Sequence, residues 1–154
     1  MFEGKVVSIN ITPEAAQPIT SVDEVRAVPG KGLEGDRYFS KDGSFSNNPG
    51  GGREVTLIEI EAIEALERDY KYKLNPGDAR RNIVTRDVPL NHLVDREFTI
   101  GEVRLRGVRV NEPCNHLAGL TDDKVKRGLV HRGGLRADIL TEGTIKAGDT
   151  VRPA

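Results

Sequence analysis

The sequence predicts a mainly β (α+β) domain, built as a closed or nearly closed β-barrel with one or two short helices. Two observations lead to this prediction. Segments rich in β-branched residues are short and are separated by 17 glycines and 8 prolines, which is typical of strands joined by turns. Only one stretch has strong helical spacing of its apolar residues. Many short strands with few helices favour a barrel, because a closed sheet has no exposed edge.

Eight segments are predicted to be strands from their β-branched residues and the turn residues that flank them. They are Gly4–Ile11, Glu24–Val28, Glu54–Ile58, Asn82–Thr85, Glu97–Ile100, Val103–Val110, Ala137–Leu140 and Thr150–Arg152. The clearest is the sixth, in which apolar side chains and arginines alternate as in a half-buried strand. Gly101 is predicted to form the turn of a hairpin between the fifth and sixth strands.

One strong helix is predicted over Glu59–Asp69, where apolar residues recur at helical spacing and charged residues fill the other positions. A second, shorter helix is predicted over Thr121–Lys126, with Thr121 or Asp122 as its cap. The longest stretch without either pattern, Pro29–Arg53, is predicted to be a functional loop or a mobile flap.

Length and composition indicate one domain of ordinary size over residues 1–154. The formal net charge of −1 implies no general attraction to nucleic acid or to membranes. Residues 80–154 carry 14 Lys and Arg against 10 Asp and Glu, so this half is the better candidate for holding an anion. A single cysteine, no signal-peptide pattern and no membrane-length apolar run together predict a cytoplasmic protein. The sequence does not indicate an oligomeric state.

The single cysteine, Cys114, is the first candidate for chemistry. It lies in the polar run Asn111–His116, directly after a predicted strand, and loops on a rigid scaffold are frequent places for functional residues. Its thiolate could ligate a soft metal or carry sulfur, and Arg109, Arg132 or His116 would lower its pKa if they lie close to it. The alternative is an ordinary, partly buried cysteine.

Zinc and hydrolase sites have weaker support from the spacing. Structural zinc normally needs four ligands in paired spacing, and Cys114 and His116, with His92 and His131, do not supply it. A cysteine hydrolase needs a histidine directed at its thiol and an oxyanion hole. His116 and His131 are available, but no signature of such enzymes is present.

Arginines next to small or amide residues occur in three clusters, Gly32–Arg37, Ala79–Ile83 and Val130–Arg136. Arginine forks bind phosphate bidentately, and glycine permits a close approach of the backbone. One such arginine is usually a solvated surface charge, but three clusters together suit a phosphorylated cofactor that also accepts sulfur ligands. The run Asn48–Arg53 lacks the Gly-Lys-Ser/Thr ending of a phosphate loop and is predicted to be a flexible connector.

Five short motifs follow one another along the chain: Gly35-Asp36-Arg37, Arg81-Asn82-Ile83, Glu112-Pro113-Cys114, Arg132-Gly133-Gly134-Leu135-Arg136 and Gly148-Asp149. They resemble, in this order, the motifs of MOSC domains. These are the molybdenum cofactor sulfurase C-terminal domains, which also occur as free-standing small bacterial proteins. Each motif is weak alone, but five in order are specific, and the resemblance runs from about Gly4 to Val151.

The resemblance implies a barrel-like fold of MOSC type that binds the molybdenum cofactor (molybdopterin), an anionic pterin phosphate whose dithiolene holds the metal. It implies that Cys114 is the catalytic residue, either as the molybdenum ligand or as the carrier of a persulfide. The two glycines of the Arg-Gly-Gly motif, Gly133 and Gly134, could have a structural role instead of contacting the ligand. The implied cofactor-binding residues are Asp36, Arg37, Arg81, Asn82, Arg132, Gly133 and Gly134.

Three functions follow from the resemblance and stay open. The first is a molybdenum-dependent oxidoreductase that reduces N-hydroxylated compounds with electrons from a separate reductase. The second is a sulfur carrier or transferase in which Cys114 receives a persulfide, for example from a cysteine desulfurase. The third is a non-catalytic interaction module that keeps the fold without the cofactor.

Overall fold

The computed structural model describes residues 2–12, 19–36, 39, 54–75, 81–111, 128–129 and 131–154. Its strands are β1 (Gly4–Ile11), β2 (Thr20–Val22), β3 (Glu24–Val28), β4 (Gly32–Leu33), β5 (Val55–Glu59), β6 (Ile83–Arg86), β7 (Glu97–Ile100), β8 (Val103–Val110), β9 (Leu135–Ile139), β10 (Gly143–Lys146) and β11 (Thr150–Pro153). Helix α1 spans Ile60–Tyr70, and a 3₁₀ helix spans Leu90–Leu93.

Seven strands close into a barrel. In order around the ring they are β1, β6, β5, β9, β8, β7 and β11, and β11 pairs with β1 to complete it, with Val151 opposite Gly4. β5 and β6 are parallel and the other neighbours are antiparallel. A parallel pair needs a crossover, which the segment containing α1 supplies. The predicted closed β-barrel is confirmed.

The barrel interior is filled by every second residue of its strands. In β8, Val103 and Leu105 are fully buried whereas Arg104 and Arg106 are exposed, as the alternation in the sequence predicts. Burial of each such apolar side chain contributes about 1.5–3 kcal/mol. The predicted turn of the β7–β8 hairpin is confirmed at Gly101, whose φ is +56°.

Helix α1 packs on the outside of the barrel, over β5 and β6. Its buried residues Ile60, Ile63 and Leu66 form one apolar cluster with Ile58 of β5 and Val84 of β6. These two strand residues point away from the barrel interior, since their neighbours along each strand fill it. The outer face of the barrel is therefore apolar where α1 covers it, whereas the part beside α1 carries polar side chains.

The bounds of α1 differ by one residue from the predicted Glu59–Asp69. Glu59 has an extended backbone (φ −80°, ψ 131°) and is the N-cap. The helix ends at Tyr70, and its C-cap Lys71 is left-handed (φ 58°) and donates its N–H to the carbonyl of Glu67 at 3.0 Å. The predicted helix Thr121–Lys126 lies outside the described residues. In the described part of the chain no helix has the length and apolarity needed to cross a bilayer.

The sequence-based prediction missed three strands, β2, β4 and β10, and is wrong at those places. β3 pairs with both β10 and β4 in a small second sheet, and β2 pairs with the end of β1. β4 falls inside Pro29–Arg53, predicted to be irregular, where Gly32 and Leu33 pair with Val28 and Ala27. Residues 40–53 of that stretch lie outside the described residues. β9 also begins at Leu135, two residues before its predicted start.

A buried carboxyl group, Glu54, connects the small sheet to the barrel. Its Oε1 accepts hydrogen bonds from the backbone N–H groups of Gly30 at 2.9 Å and Ile139 at 3.2 Å, and the residue is only 4% exposed. Burial raises the pKa of Glu54 to about 7, with a smaller contribution from Asp138, although the two backbone donors oppose the rise. This carboxyl group therefore keeps its proton in the folded protein well above the pH at which the unfolded chain loses it.

We expect the Glu54→Gln variant to be more stable than the wild type at about pH 8 but not at about pH 5. The pKa of Glu54 rises from 4.5 to about 7 on folding. The contribution of Glu54 to the free energy of unfolding is therefore fully present below pH 4.5. It is lost as the pH rises through about 7, by up to about 3 kcal/mol. Glutamine keeps an oxygen acceptor for both N–H groups and has no proton to lose.

Melting temperatures of both proteins at the two pH values measure this difference. Glu34→Gln is the control, because Glu34 is an exposed carboxylate next to β4 in the same small sheet. Its melting temperature should follow the wild type at both pH values. If Glu54→Gln did the same, the raised pKa of Glu54 would be wrong.

Candidate functional site

A row of polar side chains crosses the outer face of the barrel beside α1. Thr56 of β5 lies opposite Arg136 of β9, and Arg136 lies opposite Arg109 of β8. Directly opposed residues share a face of the sheet, and the neighbours Leu57 and Leu135 face the core. Two buried asparagines continue the row, one in β1 and one directly before β6. We call this set the polar row: Asn10, Thr56, Asn82, Arg109 and Arg136.

Asn82 joins three strands at the centre of the row. Its Oδ1 accepts hydrogen bonds from the backbone N–H of Thr56 at 3.0 Å and from the Thr56 hydroxyl at 3.1 Å. Its Nδ2 donates to the carbonyl of Asn10 at 3.2 Å, and the N–H of Asn10 donates to the carbonyl of Asn82 at 2.6 Å. At 8% exposure, Asn82 has a side chain occupied by protein partners, which explains why an amide is needed here.

Arg81 connects Asn82 and its partners to the Arg-Gly-Gly motif at Arg132–Gly134. Its Nε donates to the carbonyl of Gly133 at 2.8 Å, and its Nη2 donates to the carbonyl of Asn111 at 3.4 Å. The Asn10 side chain donates in turn to the carbonyl of Arg81 at 3.4 Å. The Arg-Asn pair and the Arg-Gly-Gly motif, remote in sequence, therefore meet at one place.

Asn111 carries this network to the segment that contains Cys114. Its backbone N–H donates to the carbonyl of Gly134 at 2.7 Å, its Oδ1 accepts from Nε of Arg136 at 3.1 Å, and it is 7% exposed. Cys114 itself lies outside the described residues. It follows Asn111 by three peptide units, so the two Cα atoms are at most about 11 Å apart.

The Gly-Asp-Arg turn attaches to the same end of β1. Oδ1 of Asp36 accepts a hydrogen bond from the N–H of Thr12 at 2.9 Å, and the N–H of Asp36 donates to the carbonyl of Leu33 at 3.1 Å. Thr12 follows Asn10 by two residues, so this turn is anchored beside the polar row. Arg37 comes directly after Asp36 and lies outside the described residues.

Gly134 occupies a position that no other residue fits. Its φ is +108°, and a Cβ atom built there would lie 1.9 Å from the carbonyl oxygen of Leu57. The close approach of β9 to β5 therefore requires glycine at this position. This gives a structural reason for the second glycine of the Arg-Gly-Gly motif.

Arg132 lies away from the polar row, although Gly133 follows it. Its side chain is exposed, and its Nη1 is 4.0 Å from Oδ2 of Asp69 at the end of α1. It borders a cleft of about 290 Å³ that also contains Glu59. Burial, and then the charge of Glu61, raise the pKa of Glu59 above its ordinary value. The structure thus separates Arg132 from the other predicted site residues that it describes.

The sequence-based prediction of the site missed Asn10, Thr12 and Thr56, and it gave Asn111 no role. Buried polar residues in strands are the signal that identifies them in the structure. No group of three or more His, Cys, Asp or Glu side chains that could hold a metal occurs among the described residues. The zinc alternative stays untested, since Cys114 and His116 are outside that part of the chain.

The family model described as "MOSC domain" matches residues 41–152. No curated protein sequence matches the chain significantly.

Solved structures of similar fold cover nearly all of the chain. The YuaD protein from Bacillus subtilis has a TM-score of 0.80 at 14% identity, over 98% of this chain and 97% of that one. YiiM from Geobacillus stearothermophilus has a TM-score of 0.72 at 14% identity, over 98% of this chain and 75% of that one. YiiM from Escherichia coli has a TM-score of 0.68 at 17% identity, over 97% of this chain and 69% of that one. At these identities the likeness shows a shared fold.

Proposed function

Because the chain belongs to the MOSC domain family, we propose that it binds the molybdenum cofactor beside the polar row, with Cys114 as the ligand of the metal. When bound, the cofactor supplies the redox or sulfur-transfer chemistry of the metal centre. The protein's own residues bind its anionic part, orient it and present the thiolate. The reaction expected on this basis is the reduction of N-hydroxylated compounds, with electrons from a separate reductase.

One observation carries this proposal: Arg81 and Arg136 both donate hydrogen bonds to Asn111, three residues before Cys114. Two guanidinium groups therefore lie at the base of the segment that bears the only thiol of the chain. Positive charge close to a cysteine favours its thiolate form, which is the form that ligates metals. Arginine also pairs well with phosphate oxygens.

The donor set matches both parts of the cofactor. Arg81, Arg109 and Arg136 offer guanidinium groups on or beside the polar row, and guanidinium suits a phosphate. A thiolate suits a soft, sulfur-rich metal centre. We place Asn82 and Asp36 in supporting roles, because their described hydrogen bonds join protein elements to one another.

The test is the molybdenum and pterin content of the protein purified from a bacterial host that makes the cofactor. We expect molybdenum in the wild type and at least about a tenfold loss in Cys114→Ser, because a metal ligand contributes no less than its surrounding residues do. Arg136→Gln should lower the pterin content about tenfold, as expected when a charged hydrogen bond is lost. Mass spectrometry for metal and fluorescence for oxidised pterin measure the two parts separately.

Arg104→Gln is the matched control, since Arg104 is an exposed arginine of β8 that pairs with Glu97 at 2.9 Å. It should keep a wild-type content. Full retention of molybdenum by Cys114→Ser would exclude ligation by this thiol. An extra sulfur atom on Cys114 after incubation with a cysteine desulfurase, without bound metal, would favour the persulfide carrier. If the protein held neither metal nor extra sulfur, the non-catalytic interaction module would be the remaining function.

A further inference from the structure

Two carboxyl groups, those of Glu54 and Asp138, lie opposite each other on the outer face of the barrel. β5 and β9 pair with Val55 opposite Ala137, and the same register continued by one residue puts Glu54 opposite Asp138. Val55 and Ala137 belong to the core, so their neighbours lie on the outer face. Asp138 is half-buried, and it acts on Glu54 through its charge and a side-chain hydrogen bond. Two carboxyl groups this close, one of them buried, do not both ionise readily.

Glu54 joins two sheets that are held with unequal strength. Its Oε1 accepts from the N–H of Gly30, in the turn between β3 and β4, and from the N–H of Ile139 in β9. Ile139 is also held within the barrel, where it lies opposite Leu105 of β8. β4 has only two residues, which pair with β3. The turn at Gly30 is therefore the side that can move away when Glu54 changes its charge.

The described charged groups nearest to the pair on the adjoining elements are basic. Arg106 of β8 lies opposite Asp138, and Arg136 lies two residues before Asp138 on the same face of β9. Lys31 is the charged residue of the turn between β3 and β4. Because Glu54 is the more buried of the two carboxyl groups, its ionised form costs more, and the proton of the pair is expected on Glu54.

We propose that Glu54 and Asp138 share one proton and form a pH-sensitive clasp, which holds the turn at Gly30 to the barrel while the proton is present. When the O–H bond of Glu54 breaks, its proton passes to water and two carboxylates face each other. Lifting the turn then lets water reach Glu54. The pair lies one step along the outer face from Thr56 and Arg136, so the clasp opens beside the polar row. This inference goes beyond the proposed function and does not depend on the cofactor.

Hydrogen exchange of single amides, followed by NMR and corrected for the intrinsic effect of pH, tests the clasp. The pKa of Glu54 is about 7 in the folded protein against an ordinary value of 4.5. The closed clasp therefore keeps its proton over a range of pH in which the open clasp loses it. We expect the protection of the Gly30 amide to fall by about tenfold or more between about pH 5 and about pH 7, and to level off above that.

Two variants change the clasp in different ways. Glu54→Gln reproduces the protonated form, because glutamine keeps an oxygen for both backbone N–H groups and offers its own N–H to Asp138. Its protection at Gly30 should not depend on pH. Asp138→Asn removes the neighbouring charge, so its protection should fall by less and level off at a lower pH than in the wild type. Glu34→Gln, at an exposed carboxylate beside β4, is the control and should follow the wild type.

The amide of Gly107, which donates to the carbonyl of Arg96 at 3.0 Å, is the reference for unfolding of the whole domain. At about pH 7 Gly30 should be about tenfold or more less protected than Gly107. Equal protection of the two amides at every pH would overturn the proposal, because the small sheet would then open only with the barrel. A wild-type profile in Glu54→Gln or in Asp138→Asn would overturn it too. If Glu54→Gln failed to fold, Asp138→Asn would decide alone.

Discussion

Replacing Gly134 by alanine is expected to lower the melting temperature by about 10 °C or more. The added Cβ would lie 1.9 Å from the carbonyl oxygen of Leu57, whereas real Cβ contacts stay beyond about 3.0 Å. β5 and β9, paired at Leu57 and Leu135, would have to separate. Overlap of this kind costs about 1–3 kcal/mol and the unfavourable φ a similar amount. For a domain of this size each kcal/mol corresponds to about 2–4 °C.

Two other glycines separate the two causes. Gly148 has φ +91° with no atom within 4 Å of a built Cβ, so Gly148→Ala tests backbone strain alone. Gly107 lacks a positive φ, but its built Cβ lies 2.0 Å from the carbonyl oxygen of Leu93, so Gly107→Ala tests overlap alone. We expect Gly148→Ala to be the mildest and Gly134→Ala the most severe. Thermal melts that placed Gly134→Ala level with Gly148→Ala would contradict the overlap.

The barrel was predictable because its strands carry a local signal. In β8, Arg104 and Arg106 each lie between two buried residues, and a period of two follows directly from the pleat of a strand. The glycine at the β7–β8 turn adds a second local signal. The pairing that closes the ring, between Gly4 and Val151, joins opposite ends of the chain, so no window of sequence contains it.

The short strands were missed for the opposite reason. β4 has only two residues, and β10 has one buried apolar side chain, Ile145, between two polar ones. Neither is long enough to show alternation. Their pairing is decided by β3, which lies between them and supplies hydrogen-bonding partners to both.

The site was predictable only where motifs mark it. The resemblance selected Arg81, Asn82 and the two late glycines, and the structure brings these together. Asn10 and Thr56 carry no such mark, because a polar residue in the outward phase of a strand usually faces solvent. Here that outward face is covered: Asn10 is 3% exposed. Burial of an outward-facing position is a property of the tertiary fold, which spacing along the chain does not contain.

Adjacent residues of one motif also separate in space. Gly133 contributes its carbonyl to Arg81, whereas the side chain of Arg132 lies by Asp69 on α1. The motif therefore combines one position that completes the network with another that borders a separate cleft. The sequence alone assigns Arg132 and Gly133 to one site, because it does not show in which direction each residue points.

The second large effect is expected at Asn82. Asn82→Ala would leave the N–H of Thr56 and the carbonyl of Asn10 without their side-chain partner. A buried polar group that loses its partner costs about 1–3 kcal/mol, so we expect about 2–4 kcal/mol in the free energy of unfolding, measured by urea denaturation. Thr85→Val is the control, because Thr85 is buried in the adjoining β6 and its hydroxyl makes one bond, to the carbonyl of Ile58 at 3.4 Å. It should cost about 1 kcal/mol or less.

Asn82→Asp shows whether the donated hydrogen bond matters as well as the accepted ones. An aspartate keeps the acceptor for Thr56 but, once ionised, directs a negative oxygen at the carbonyl of Asn10. Burial and that carbonyl both favour the protonated form, so its pKa would be raised on folding. The stability of this variant should therefore fall as the pH rises from about 4 to about 7, relative to wild type. A pH-independent difference would mean that Asn82 acts through its side-chain oxygen alone, without the hydrogen bond that it donates to the carbonyl of Asn10.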